Sequence, residues 1–165
     1  MRTRQTWIFI GAVAVAAIVA IVVVGLVRGG DESSTTQGEY ETAVVNTRDR
    51  VDFALGRLSK AQSLEELLER MDEAAETIDD AAGDLDDLAA PTDLESPHER
   101  LVDQLGQLSA DVKGTADQAR VPGFEDILNG ADGLNFESWD KVNAILAELR
   151  RQGVEVEPLA RQSAT

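Results

Sequence analysis

The pattern of apolar and polar positions changes character at Arg28. From Trp7 to Val27 the chain is apolar, with no charged residue and no proline. At about 1.5 Å per helical residue this run covers roughly 31 Å, the thickness of a bilayer's hydrocarbon core, and predicts one membrane-spanning helix. Beyond Arg28 no second run of that length follows. Apolar residues there recur every three or four positions, the period of helices that bury one face.

Four such segments can be read. In the first, Tyr40, Val44, Thr47, Val51, Ala54, Leu58 and Ala61 alternate by four and three, predicting a helix that ends near Gln62. Ser63-Leu64-Glu65-Glu66 then has the form of a capping box and marks a new start, although one long helix with a phase shift also fits the spacing. The second segment repeats as LEELLER, MDEAAET, IDDAAGD and LDDLAAP, with Leu64, Met71, Ile78 and Leu85 on one seam position and Leu67, Ala74, Ala81 and Leu88 on the other. Leu68, Ala75 and Ala82 widen the stripe, as expected of a helix that touches two neighbours. Pro91 stops it. Ser96-Pro97-His98-Glu99 predicts a third start capped by Ser96, followed by a seam of His98, Leu101, Leu105, Leu108, Val112, Thr115 and Ala119. After Val121-Pro122-Gly123, Asn135 is the expected cap of a shorter fourth helix carrying Phe136, Trp139, Val142, Leu146 and Leu149 on one face, with Gly153 as its stop.

The expected fold is therefore all-α, an N-terminal transmembrane helix followed by an antiparallel up-down-up bundle with a shorter fourth helix. Residues 1–6 form a cytoplasmic stub, 7–27 the anchor, 28–38 a flexible linker, 39–153 the bundle and 154–165 a C-terminal tail. Val154 to Val156 alternates, but it is too short to form a sheet. Arg2 and Arg4 precede the apolar run and acids follow it, so the positive-inside rule places the N-terminus in the cytoplasm and the bundle outside. A cleaved signal peptide is the competing reading; the run is longer than such a segment requires and lacks a small-residue cleavage site at its end. Ala12, Ala16 and Ala20 make a small-residue face through which two anchors can pair, or they are simply common residues of an apolar helix.

Charge narrows the partners. All 31 acidic residues follow the anchor; without Arg2, Arg4 and Arg28 only 12 of the 15 bases remain to face them, a net charge of −19. Such a surface repels nucleic acid and anionic headgroups, and attracts cations or a basic partner. The absence of cysteine excludes disulfides, thiolate metal sites and a lipid-modified N-terminal Cys.

Candidate chemistry is sparse. On the second helix Glu65, Glu66, Glu69, Asp72, Glu73, Glu76, Asp79, Asp80, Asp86 and Asp87 avoid the apolar stripe, with Arg70 its only base. A solvated face is the ordinary meaning of such a run; Asp79, Asp80, Asp86 and Asp87 are weak candidates for diffuse cation binding, and no formal metal site is expected. Aligning Gly130 or Gly133 with the glycine of an EF-hand leaves unsuitable residues at the ligand positions. His98, the only histidine, stands without partners, and Met71 would lie about 25 Å from it along the helix axis, so no haem or other cofactor is expected. No nucleophile elbow, phosphate loop or H-E-x-x-H is present, which argues against an enzyme. Phe136 and Trp139 are either core anchors or an exposed patch for a partner.

Around the second turn, Leu85, Leu88, Pro91, His98, Leu101 and Val102 resemble a pattern in uncharacterised bacterial, actinobacterial-type envelope proteins that carry a helical extracytoplasmic domain on a single-pass or lipid anchor. The resemblance covers mainly residues 40–120 and extends to the ending Trp139 to Leu159. It implies no catalytic residue. The expectation is a membrane-anchored extracytoplasmic module for protein interaction or envelope structure. The alternative is a cation-dependent sensor using the acidic face of the second helix.

Overall fold

A computed structural model of the chain describes residues 35–121 and 136–160. The apolar run Trp7–Val27 lies outside the described residues, as do most of the linker, Asn135 and the last five positions. Among the described residues no helix is long and apolar enough to cross a membrane. All regular structure among them is helical: α1 (Gln37–Leu58), α2 (Leu64–Asp86), a 3₁₀ turn (Thr92–Leu94), α3 (Glu95–Ala119) and α4 (Glu137–Arg151).

The helices form where the apolar stripes lie. Tyr40, Val44, Thr47, Val51, Ala54 and Leu58 are buried on α1, joined by Leu55, whereas Ala61 falls in the turn beyond the helix. On α2 the buried set is Met71, Ala74, Ala75, Ile78, Ala81, Ala82 and Leu85. Each fully buried Leu or Ile stabilises the fold by roughly 1.5–3 kcal/mol, and these side chains occupy one continuous core. Alanine in α2 lets its neighbours approach on both sides: α1 packs on α2, α2 on α3, and α3 on α4. The buried Ser109 hydroxyl donates to the Ala75 carbonyl at 2.8 Å, tying α3 to α2.

The helix ends differ from expectation in four places. First, α1 starts inside the expected linker, because Thr36 and Glu39 make a capping box: Glu39 N–H donates to Thr36 Oγ1 at 3.3 Å and Thr36 N–H donates to Glu39 Oε2 at 3.0 Å. Second, Ser63 caps α2 through Glu66 N–H at 3.1 Å, but the Glu66 carboxylate accepts from Gln62 N–H at 2.8 Å, one residue earlier than a reciprocal box requires. Third, Ser96 is not a cap. The 3₁₀ turn after Pro91 runs directly into α3, so Leu94 stands at the helix start, Ser96 and Pro97 already lie in the first turn, and Leu94 N–H closes onto the Pro91 carbonyl at 2.7 Å. Fourth, the cap position of α4 is held by Phe136, which has no side chain able to cap. Asp111 on α3 replaces a local cap: it accepts from the Ser138 hydroxyl at 2.6 Å and from the Ser138 backbone.

At its other end α4 stops as expected. Gly153 has φ +94°, its N–H reaches the Arg150 carbonyl at 3.2 Å, and Val154 N–H reaches Leu149 at 3.1 Å, the paired bonds of a Schellman motif. The expected tail is not a tail. Val154, Val156 and Leu159 are buried in the core, so residues 154–160 complete the bundle rather than trail from it. Gly153 lies beside the side chain of Gln37, which sets the end of α4 against the start of α1 and makes the pair antiparallel.

Candidate functional site

Three features carry the polar chemistry of the bundle, and the first is the outer face of α2. Its carboxylates divide into two groups. Glu66 pairs with Arg70, Asp72 with Arg120 of α3, Glu73 with Arg57 of α1 at 2.8 Å, and Asp84 with Arg50 at 2.5 Å. Arg70 also donates to the Arg57 carbonyl, tying the end of α1 to α2. Glu65, Glu69, Glu76, Asp79, Asp80, Asp86 and Asp87 make no ion pair among the described residues. The four cation candidates Asp79, Asp80, Asp86 and Asp87 are all exposed, and among the described residues no group of three or more acidic or histidine side chains is gathered to hold a metal. The helix spreads them along its length, so they form a field and not a chelate.

The second feature is the pair Tyr40 and His98. Their ring centroids are 5.7 Å apart with planes tilted by 57°. Tyr40 is fully buried and His98 is 7% exposed; neither Tyr40 Oη nor His98 Nδ1 has a hydrogen-bond partner. Burial drives the imidazole pKa below its ordinary value, opposed in part by the negative charges of Asp86 and Glu99. Burial also pushes the Tyr40 phenol up to about 12. The result is a neutral imidazole against a neutral phenol at neutral pH, a packed contact whose unpaired polar atoms each cost roughly 1–3 kcal/mol.

The third feature, invisible in the sequence pattern, is the groove between α1 and α4 in which residues 154–160 lie. Arg48 on α1 donates to the Pro158 carbonyl through Nε at 3.3 Å and Nη2 at 2.8 Å. Four residues on, the Asp52 carboxylate accepts from Ala160 N–H at 2.7 Å. From α4, Asn143 Oδ1 accepts from Leu159 N–H at 2.7 Å and Nδ2 donates to the Leu159 carbonyl at 3.4 Å. Beneath Leu159 an apolar crevice lined by Val51, Leu105 and Leu146 among others holds about 10 Å³, no more than one water-sized sphere. Arg48, Asp52 and Asn143 carried no sequence signal: each is an ordinary polar residue on a helix flank until the C-terminal segment arrives beside it.

Phe136 and Trp139 are 5% and 6% exposed and belong to the core, so of the two roles open to them in the sequence, core anchor or exposed patch, they occupy the first. Trp139 Nε1 is buried without an acceptor, a further sign that the ring's apolar area dominates. Among the described residues the exposed large apolar side chains are Phe53, 69% exposed on α1, and Val121 at 61%. Compared with known protein families, curated proteins and solved structures, the chain shows no match.

Proposed function

We propose that the chain is a membrane-anchored extracytoplasmic helical module that serves protein interaction or envelope structure and is not an enzyme. Residues 7–27 cross the bilayer once and the bundle is presented outside, as in the actinobacterial-type envelope proteins that the sequence resembles. The observation that supports an interaction role is the division of labour in the bundle: its interior is filled by aliphatic and aromatic packing, while Phe53 stands in solvent between Arg50 and Arg57. Among the described residues the crevice beneath Leu159 holds about 10 Å³, far below the several hundred Å³ of a small-molecule site.

Two experiments test this reading. Ser34→Cys in intact cells should react with an impermeant thiol reagent; reaction only at Thr3→Cys would overturn the orientation, and a mature chain lacking residues 1–27 would overturn the anchor. A photo-crosslinker replacing Phe53 should capture a discrete envelope protein in native membranes. The second reading is a cation-dependent sensor, favoured by the seven unpaired carboxylates of α2. It requires saturable stabilisation by micromolar calcium beyond that of an ionic-strength-matched monovalent salt, lost when Asp79, Asp80, Asp86 and Asp87 become Asn.

A further inference from the structure

We propose that the groove between α1 and α4 is a docking site for an extended peptide from a protein partner, kept closed in cis by the chain's own residues 154–160. The proposal rests on the interaction-module reading and names the surface and the class of ligand. The seated segment itself shows what the groove accepts. From Gly153, beside Gln37, to Ala160, bonded to Asp52, seven residues follow about 22 Å of the α1 axis, so the chain is largely extended. Apart from one tight turn, in which Val156 N–H reaches the Val154 carbonyl at 3.0 Å, and the Val154 N–H bond that closes α4, its main-chain hydrogen bonds among the described residues are made with side chains of the two helices.

Those polar contacts recognise main chain. Arg48 takes the Pro158 carbonyl, Asn143 takes both the N–H and the carbonyl of Leu159, and Asp52 takes the Ala160 N–H. They hold any peptide backbone that lies in this path, as side chains do in other modes of extended-peptide recognition. Selectivity comes from the buried side chains Val154, Val156 and Leu159, at the first, third and sixth positions, while Glu155 and Glu157 are exposed and Glu157 pairs with Arg150 of α4 at 3.6 Å. The expected ligand is therefore a peptide with aliphatic residues at the first and third positions, leucine at the sixth and acidic or polar residues between.

Release has a hinge. Gly153 sits at φ +94° immediately before the segment and outside α4, so the segment can leave without unwinding that helix. Cis occupancy then acts as intramolecular competition: the tethered segment holds a high effective concentration, and only a matched or abundant peptide displaces it.

The test uses the full chain in detergent and a fluorescent peptide with the sequence of residues 154–160. Wild type should bind it weakly; the chain with Val156→Asp and Leu159→Asp, which drives the cis segment out, should bind at least about ten-fold more tightly, and adding Asn143→Ala should reverse the gain. Equal binding of a scrambled peptide would overturn the proposal. Hydrogen exchange on the unmodified chain guards against a misfolded variant: Leu159 and Ala160 amides should exchange through a local opening that leaves Leu105 and Leu146 protected. Exchange of all four only on global unfolding would also overturn it. A wild-type dimer that depends on residues 154–160 would assign the groove to a second copy and overturn the assignment to a separate partner. None of these outcomes alters the capture experiment at Phe53, so failure here is distinct from failure of the interaction reading.

Discussion

The helices α2 and α4 each bury one apolar stripe, yet their remaining surfaces are used in opposite ways. On α2 the outer face is left to water, and acids such as Glu65 and Glu69 stand one turn apart with no base between them. On α4 the flank towards α1 is covered, and Asn143 spends its amide on the backbone of Leu159. The contrast teaches that the same helical period carries two kinds of information. Packing fixes which face points inward, whereas only tertiary contact reveals whether the polar flank is a solvated surface or a built seam.

The comparison breaks first at the core of α4. Trp139→Ala should destabilise the domain by about 3–5 kcal/mol through lost burial and a residual cavity, read as a large drop in melting temperature. Native Trp fluorescence should be blue-shifted and poorly quenched by iodide. A variant that melts like wild type would place the indole on a surface. Next in size is the seam itself: Asn143→Ala leaves the Leu159 N–H and carbonyl without their partner and should cost about 1–3 kcal/mol, measured by denaturant unfolding.

A smaller effect is expected from pH. The folded state depresses the His98 pKa, so its contribution to stability is complete above the ordinary value of 6.5 and is lost as pH falls through the depressed value. The melting temperature should therefore decline more steeply below pH 6.5 in wild type than in His98→Gln; parallel curves would remove the imidazole from the account. The smallest change belongs to the outer face of α2. Asp79→Asn with Asp80→Asn should alter stability by no more than about 0.5 kcal/mol, with any gain at low salt disappearing as salt is added. A large loss in that variant would reveal an unseen partner for these carboxylates.

Much of the bundle is legible in the chain because burial follows period. The seams of α1 and α4 name most of their buried residues, missing Leu55, Ser138 and Ile145, and Ser63 and Gly153 mark ends through local backbone chemistry that needs no tertiary knowledge. What the pattern misplaces are ends decided elsewhere. Ser96 has the composition of a cap but is overtaken by the turn after Pro91, and the start of α4 is completed by Asp111, 27 positions upstream of Ser138. Burial of Val154, Val156 and Leu159 is equally non-local: three large aliphatic residues in seven are too few to predict a core element, and only the groove beside them makes them one. The candidate surfaces followed the same rule. Charge on α2 is written in the sequence, but the backbone contacts of Arg48, Asp52 and Asn143 exist only where two distant segments meet.

The placement of Gly153 beside Gln37 has a mechanical consequence. A pull on the chain at Thr36 first loads the capping box of α1, and then tends to peel α1 from the bundle. Arg48 and Asp52 lie farther along that helix and are bonded to a segment that α4 also grips. Tension is thus shared with the opposite side of the bundle, and peeling must break the brace before it passes the middle of α1.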